Sequence, residues 1–356
     1  MTQVIENIKS VLSGQQWRNT NKILKSRKSA IPAVCVRDSS SANAALAAAA
    51  QANSPIIILT SFGGGQFSAG KSLENTANTW AMGAQSIAQH VHLMAPEYGV
   101  TAILATDHCH MQNLPWMDAM LKIDSEHCRK NGNSLWSGHM LDLSASKTEE
   151  SLPIYKDYLK QHDDLGMLME FEIGETGGEE DGVQGTAHYT SPEECSQFFG
   201  ELISISSLFS AALTFGNVHG VYKGEFDLRP DILGACQAQV MKDFGSVHNL
   251  EGPNPMDLVF HGGSGCTAEQ MKQALEFGTV KQNIDTDTQW AFTCGVRNHI
   301  IDSMPRLSTQ VGYAEDPAAP NKKFYDPRGY LFKAEQSMTA RILESYDYLN
   351  GMNLHG

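Results

Sequence analysis

Eight short strand-like runs, each followed by a stretch of helical pattern, limit what this chain can fold into. The runs are IPAVCV (31–36), PIIILTS (55–61), TAILAT (101–106), LWSGHML (135–141), MLMEFEI (167–173), AALTF (211–215), DLVFH (257–261) and VKQNIDT (280–286). Each has the length of one strand. The segments between them carry helix formers, from the alanine-rich SSANAALAAAAQAN to WAFTCGVRNHIIDS. A Gly-rich loop is expected after the second run, before a helix near 76–95. Strict alternation of strand and helix predicts a parallel sheet sheathed by helices. Eight pairs is the number that closes a (βα)8 barrel. An open doubly wound sheet is the alternative, but it gathers its chemistry at one switch point. Here polar residues end seven of the eight runs. The chain therefore reads as one α/β domain over 1–356, with the barrel at about 30–305. An amphipathic helix in MTQVIENIKSVLSG precedes it, and a helical extension at about 306–356 follows.

The net charge of −14 argues against a nucleic-acid or anionic-membrane partner, which needs a basic face. No apolar run approaches the roughly 18 residues of a membrane span. Seven cysteines, odd in number and nowhere spaced CxxC, fit reduced thiols in the cytoplasm. A few placed cations and backbone N–H groups still suffice to bind a phosphorylated small molecule.

His108, His219 and His261 each follow an apolar run, as if at the end of a strand. Three imidazoles with an open position make a catalytic rather than a structural zinc set. A parallel barrel gathers strand ends at one face, which is where such enzymes work. Asp107 adjoins His108 and is suited to orient a ligand or move a proton, or simply to cap the next helix. Asp142 ends the fourth run. Glu170 and Glu172 alternate along the fifth, so they share a face, and carboxylates turned inward need a cation. The run GGEEDG, with Glu180, suits either an active-site loop or a solvated one. Gly220, Gly262, Gly263 and Ser264 offer backbone N–H groups to an anion, or a plain turn. His90 and His92 fall in a helical pattern and His139 inside a strand, so these are read as structural. Cys109 should point away from His108 as a packed thiol, and His110, two residues from His108, is a secondary candidate for the site.

The motifs TDHC…LPW, SGHMLDLS, EIGETGGEEDGV, FGNVHGVY, FHGGSG, NIDTDTQ and PNKKFYDPR occur in this order over nearly the whole chain. Together they resemble the class II, zinc-dependent fructose-bisphosphate aldolases of bacteria and fungi. The resemblance implies a homodimeric barrel lyase of carbohydrate metabolism that reversibly cleaves a ketose 1-phosphate to dihydroxyacetone phosphate and an aldehyde. It assigns catalytic zinc to His108, His219 and His261, and a second divalent position to Asp142 and Glu172. Asp107 would exchange a proton with the C4 oxygen, and Glu180 with the carbon of bound dihydroxyacetone phosphate. Ser61, Gly220, Gly262, Gly263, Ser264, Asn283, Asp285 and Thr286 would hold that product and its phosphate, beside a monovalent cation (Na+ or K+). Lys322 and Arg328 match the far phosphate position, the arginine reaching in from the partner subunit.

The departures from the family cluster on one side. Cys35 stands for the usual Asn, Leu59 for Gln, Phe62 for Asn and Ala105 for His, while Arg37 adds a cation. Met111-Gln112 replaces a Lys pair, and the loop after GGEEDGV is shorter. The first reading is fructose 1,6-bisphosphate cleavage. The second is an aldolase for a ketose 1-phosphate with another far end, such as 6-deoxy-6-sulfofructose 1-phosphate, or sedoheptulose or tagatose bisphosphate. A non-catalytic metal barrel is disfavoured by intact Asp107 and Glu180, and a zinc hydrolase is a weaker rival.

Overall fold

A computed structural model describes residues 3–180, 183–185, 189–220, 228–264 and 266–356, with the backbone alone at 179, 180, 183–185 and 219. Eight parallel strands form the barrel: β1 (Ile31–Cys35), β2 (Ile56–Thr60), β3 (Ala102–Thr106), β4 (Gly138–Asp142), β5 (Leu168–Ile173), β6 (Phe209–Leu213), β7 (Leu258–Phe260) and β8 (Thr279–Asn283). Each pairs with its sequence neighbour, and the ring closes where β8 meets β1, with Ala33 opposite Asn283. The strands are buried on both faces, as parallel strands are. Side chains alternate between two apolar layers. Val34, Ile56, Ile58 and Leu104 face the helices. Ile31, Ala33, Cys35, Ile57, Leu59, Ile103 and Ala105 fill the interior, joined from below by Trp17 and Leu24.

The helix over Ser39–Ala52 begins at Asp38, whose side chain accepts from Ser41 N in a capping box, and ends at Asn53 in the left-handed region. Six of its eight alanines are buried, and their small size brings the helix close to the barrel wall. Beyond the barrel, the helices Thr286–Leu307 and Pro327–Tyr348 lie together, and the second also rests on Ser39–Ala52. A Cβ on Gly295 would strike the Lys333 carbonyl, so glycine sets that close approach. No helix among the described residues is long and apolar enough to cross a membrane.

Three expectations fail locally. Residues 3–13 are not an amphipathic helix. They run as an irregular strap, with Ile5 N bonded to Leu354 O and Leu12 N to Ala102 O, and helix begins at Gly14 behind the Ser13–Gln16 capping box. The apolar residues Ile5 and Leu12 are buried by this threading rather than by one helical face. The Gly-rich segment after β2 is not a loop but a helix, Phe62–Ala69, capped by Ser61. Its glycines serve helix contact, since a Cβ on Gly83 would collide with Gly65 O. The sixth strand lies two residues earlier than 211–215, because Thr214 and Phe215 turn away to bond Thr190 and Asn217.

Asp257, at the entrance to β7, fastens the helix Gly14–Arg27 beneath the barrel. It takes ion pairs from Arg18 and from Lys25 (2.8 Å), and Asn21 Nδ2 donates to it at 3.0 Å. Burial opposes its charge, but Arg18 and Lys25 outweigh that and hold its pKa below the usual carboxylate value. Its stabilisation is present above the unfolded-state value and is lost as pH falls through the lower folded one. Asp257→Ala should reduce unfolding free energy by about 3–5 kcal/mol at neutral pH. Denaturant titrations should show the gap to the parent narrowing in acid. An unchanged midpoint would contradict this account.

Candidate active site and metal centre

The C-terminal mouth of the barrel collects most of the residues singled out by sequence. A small cavity there is lined by Asp107, His108, Gly220, Gly262, Ser264, Asn283, Asp285 and Thr286. His261 follows β7 directly, whereas His108 stands two residues past β3. His219 departs from expectation. Its backbone belongs to a separate short strand, Val218–His219, paired with Gly177–Gly178 rather than ending β6. The side chains of His219 and Glu180 lie outside the described residues. The backbone around Glu180 is a ribbon, Gly177–Glu180 against Val183–Gly185, rather than an open loop.

His108 and His261 meet edge to face, with ring centroids 4.6 Å apart. A line of carboxylates threads between them. His108 Nδ1 lies 2.8 Å from Asp142 Oδ2 and 3.7 Å from Glu172 Oε2. His261 Nδ1 lies 3.0 Å from Glu172 Oε2, and its Nε2 2.9 Å from Glu170 Oε1. The glutamates therefore face inward. Glu172 also accepts from Thr176 Oγ1 (2.6 Å), while Glu170 takes both of its oxygens to Lys281 Nζ (2.7 and 2.6 Å). Lys281 is the cation that sequence reasoning left unplaced. Its alternation with Asn283 on β8 is the signal that would have turned it inward.

Asp107 is fixed on both sides. Cys35 Sγ donates to Oδ2 at 2.9 Å and Asn283 Nδ2 to Oδ1 at 3.0 Å. Burial would raise its pKa, but the positive fields of His108, Lys281 and His261 lower it to about 2. In His108, burial disfavours the charged ring, and Asp107 and Asp142 outweigh it, raising its pKa well above the usual range. Burial, then Asp107 and Asp285, push the Cys35 thiol far up, so it stays protonated as a donor. Arg37 donates to both oxygens of Asp285, at 3.0 and 2.7 Å. Asp107, His108 and His261 present ligand atoms within 4.8 Å of one another, a donor set that suits a divalent metal. Gly262 has φ +66°, and a Cβ there would strike Val218 backbone; one on Gly263 would strike the Gln282 amide.

Ser61 caps the helix Phe62–Ala69 by accepting from Gly64 N at 3.2 Å. Phe62 meets Trp80 at a tilt and Trp116 edge to face, and Leu59 lies in the apolar barrel interior with Cys35 and Ala105. Lys322 and Arg328 do not line the cavity. Arg328 pairs with Asp326 on an exposed surface. His139 bonds Asp124 (2.9 Å), His90 bonds Asn43 and His92 the Leu135 carbonyl, all structural as expected. Cys109 packs into the helix-facing core.

A family model described as fructose-bisphosphate aldolase class-II matches residues 16–353. The chain belongs to this family. Among relatives, the fructose-bisphosphate aldolase of Campylobacter jejuni (serotype O:23/36) is 43% identical over 357 residues, covering 98% of this chain and 99% of that one. The class 2 fructose-bisphosphate aldolase of Escherichia coli K12 is 41% identical over 363 residues, covering 99% and 100%. A crystal structure of the Campylobacter jejuni enzyme matches with a TM-score of 0.88 at 42% identity, over 97% of each chain. This class II aldolase is thus a metal-dependent lyase on a (βα)8 barrel, with His and Asp groups able to hold the ion.

The Lys281–Glu170 pair is open to a direct test. Lys281→Met should cost about 3–5 kcal/mol of stability by stranding a buried carboxylate. Pairing it with Glu170→Gln should return part of that loss in denaturant unfolding. Equal losses in both variants would show that the pair does not act as one.

Proposed function

We propose that this class II aldolase reversibly cleaves fructose 1,6-bisphosphate to dihydroxyacetone phosphate and glyceraldehyde 3-phosphate, with zinc held by His108, His219 and His261. The observation carrying the proposal is Asp107, a carboxylate buried at the cavity wall, ionised, and held by Cys35 and Asn283 beside His108. When bound, the ion supplies a Lewis acid for the C2 carbonyl oxygen, where charge develops as the carbon–carbon bond breaks. Asp107 takes the proton of the C4 hydroxyl, the C3–C4 bond breaks, and its electron pair moves toward C2 to leave an enediolate. Glu180 returns a proton to C3, completing dihydroxyacetone phosphate. The N–H groups of Gly220, Gly262, Gly263 and Ser264, with Ser61, Asn283, Asp285 and Thr286, hold that half and its phosphate, beside a monovalent cation. Asp142 and Glu172 serve a second divalent position.

The enzyme works as a cytoplasmic homodimer in carbohydrate metabolism, its chain forming a single domain. The helix Thr286–Leu307 supports dimerisation, because Trp290, Ile301 and Met304 are exposed on one of its faces. Arg328 and Lys322, remote from the cavity of their own chain, are assigned to the far phosphate, the arginine in the partner's site.

A specific observation favours a second reading of the aldehyde half. Cys35, Leu59 and Ala105 give an apolar floor, and Arg37 is already engaged by Asp285. A ketose 1-phosphate with a different terminal group, such as 6-deoxy-6-sulfofructose 1-phosphate or a sedoheptulose or tagatose bisphosphate, is the corresponding substrate. Comparing kcat/KM across these sugars with zinc-loaded enzyme decides between the readings. Clear preference for fructose 1,6-bisphosphate rejects the second, and negligible cleavage of it rejects the first. Asp107→Ala should lower turnover about 10²–10⁴-fold while metal content stays unchanged. Full activity in that variant would remove Asp107 from the mechanism.

A further inference from the structure

Asp285 occupies the N-cap position of the helix Thr286–Leu307, yet its side chain makes no cap hydrogen bond. Aspartate is well suited to that task, because its carboxylate accepts from the first free N–H groups of a helix. Asp38 does so at the start of Ser39–Ala52, accepting from Ser41 N at 2.7 Å. The difference lies in what else Asp285 meets. Arg37 takes both of its oxygens, and Gln289 Nε2 donates to Oδ2 at 2.6 Å. The carboxylate is thereby drawn off the helix end.

The place of Arg37 is set by the barrel seam. β1 and β8 lie side by side, and Arg37 and Asp285 each stand two residues past a strand end, in alternation with Cys35 and Asn283. Arg37 N donates to Ser41 Oγ at 3.0 Å, Ser68 Oγ donates to the Arg37 carbonyl at 2.6 Å, and Nη1 also reaches the Cys35 carbonyl at 3.3 Å. The helix end faces the cavity, where Thr286 lies beside Gly220, Gly262 and Ser264. In its first turn Asp287 N donates to Ser264 Oγ at 3.3 Å, which ties the helix to the loop after β7. A helix N-terminus carries partial positive charge and favours an anion. The carboxylates of Asp285 and Asp287 beside it would oppose a phosphate by like charge. Each is matched by an arginine, Asp285 by Arg37 and Asp287 by Arg341 Nη2 at 2.6 Å.

We propose that Arg37 is a positioning residue for the dihydroxyacetone phosphate half: it turns the Asp285 carboxylate away from the helix N-terminus and offsets its charge, so that the helix end receives the phosphate. The proposal rests on the assignment of that phosphate to Gly262, Ser264 and Thr286. Calorimetric titration of the metal-loaded protein with dihydroxyacetone phosphate, beside steady-state cleavage of the sugar the parent prefers, tests it. Arg37→Ala should raise the dissociation constant and KM about tenfold or more, with kcat changed less than about threefold. Arg37→Lys should recover part of the loss, since it keeps the charge but not the planar fork. Arg37→Ala combined with Asp285→Asn should bind dihydroxyacetone phosphate more tightly than Arg37→Ala alone, because the remaining amide carries no charge. Melting temperatures check that the variants fold. Unchanged affinity in folded Arg37→Ala, a loss in kcat alone, or a double variant no better than the single one overturns the role of Arg37. A parent protein that does not bind dihydroxyacetone phosphate overturns the phosphate assignment instead.

Discussion

The mouth of this barrel depends on one buried electrostatic chain. Lys281 neutralises Glu170, Glu170 meets His261, His261 meets Glu172, and Glu172 adjoins His108 and through it Asp142. Any one of these charges alone would be costly in so dry a place. Their order, alternating donor and acceptor around a half-circle of strand ends, makes the arrangement self-consistent. It also fixes the orientation of both imidazoles, because each ring is held by the carboxylates it touches. Barrel closure is what brings β4, β5, β7 and β8 near enough to complete the chain.

Much of this was legible from sequence, for physical reasons. Runs of strand length separated by helical patterns located the eight strands to within about three residues, since burial on both faces leaves a strong hydrophobic signal. The failures had local causes. The strap over 3–13 is apolar enough to look helical, yet its hydrogen bonds go to Leu354 and Ala102, partners no local pattern announces. The glycines of Phe62–Ala69 read as loop because a single sequence does not reveal that Gly65 must approach Gly83.

The site divides in the same way. His108, His261, Asp142 and the glycines after β7 stood out as polar residues or glycines at the ends of runs, and Glu172 by its alternation with Glu170 along the fifth. Lys281 was passed over for lying mid-strand, and His110 was ranked second behind His108. Both are inward by simple two-residue alternation, with Asn283 and His108 respectively. The placement of His219 on its own short strand could not be read at all, because it depends on pairing with Gly177–Gly178 across the chain.

The backbone contact between Gly65 and Gly83 carries an implication for how the segment after β2 can vary. It ties the helix bearing Ser61 and Phe62 to the outer helix Ala77–Tyr98 through main-chain atoms. Ser61 is held by its cap and by that contact, whereas Phe62 is held by the rings of Trp80 and Trp116. Two adjacent residues therefore answer to separate restraints. Mutation can change Phe62 while Ser61 keeps its place, so drift at one of these residues need not disturb its neighbour.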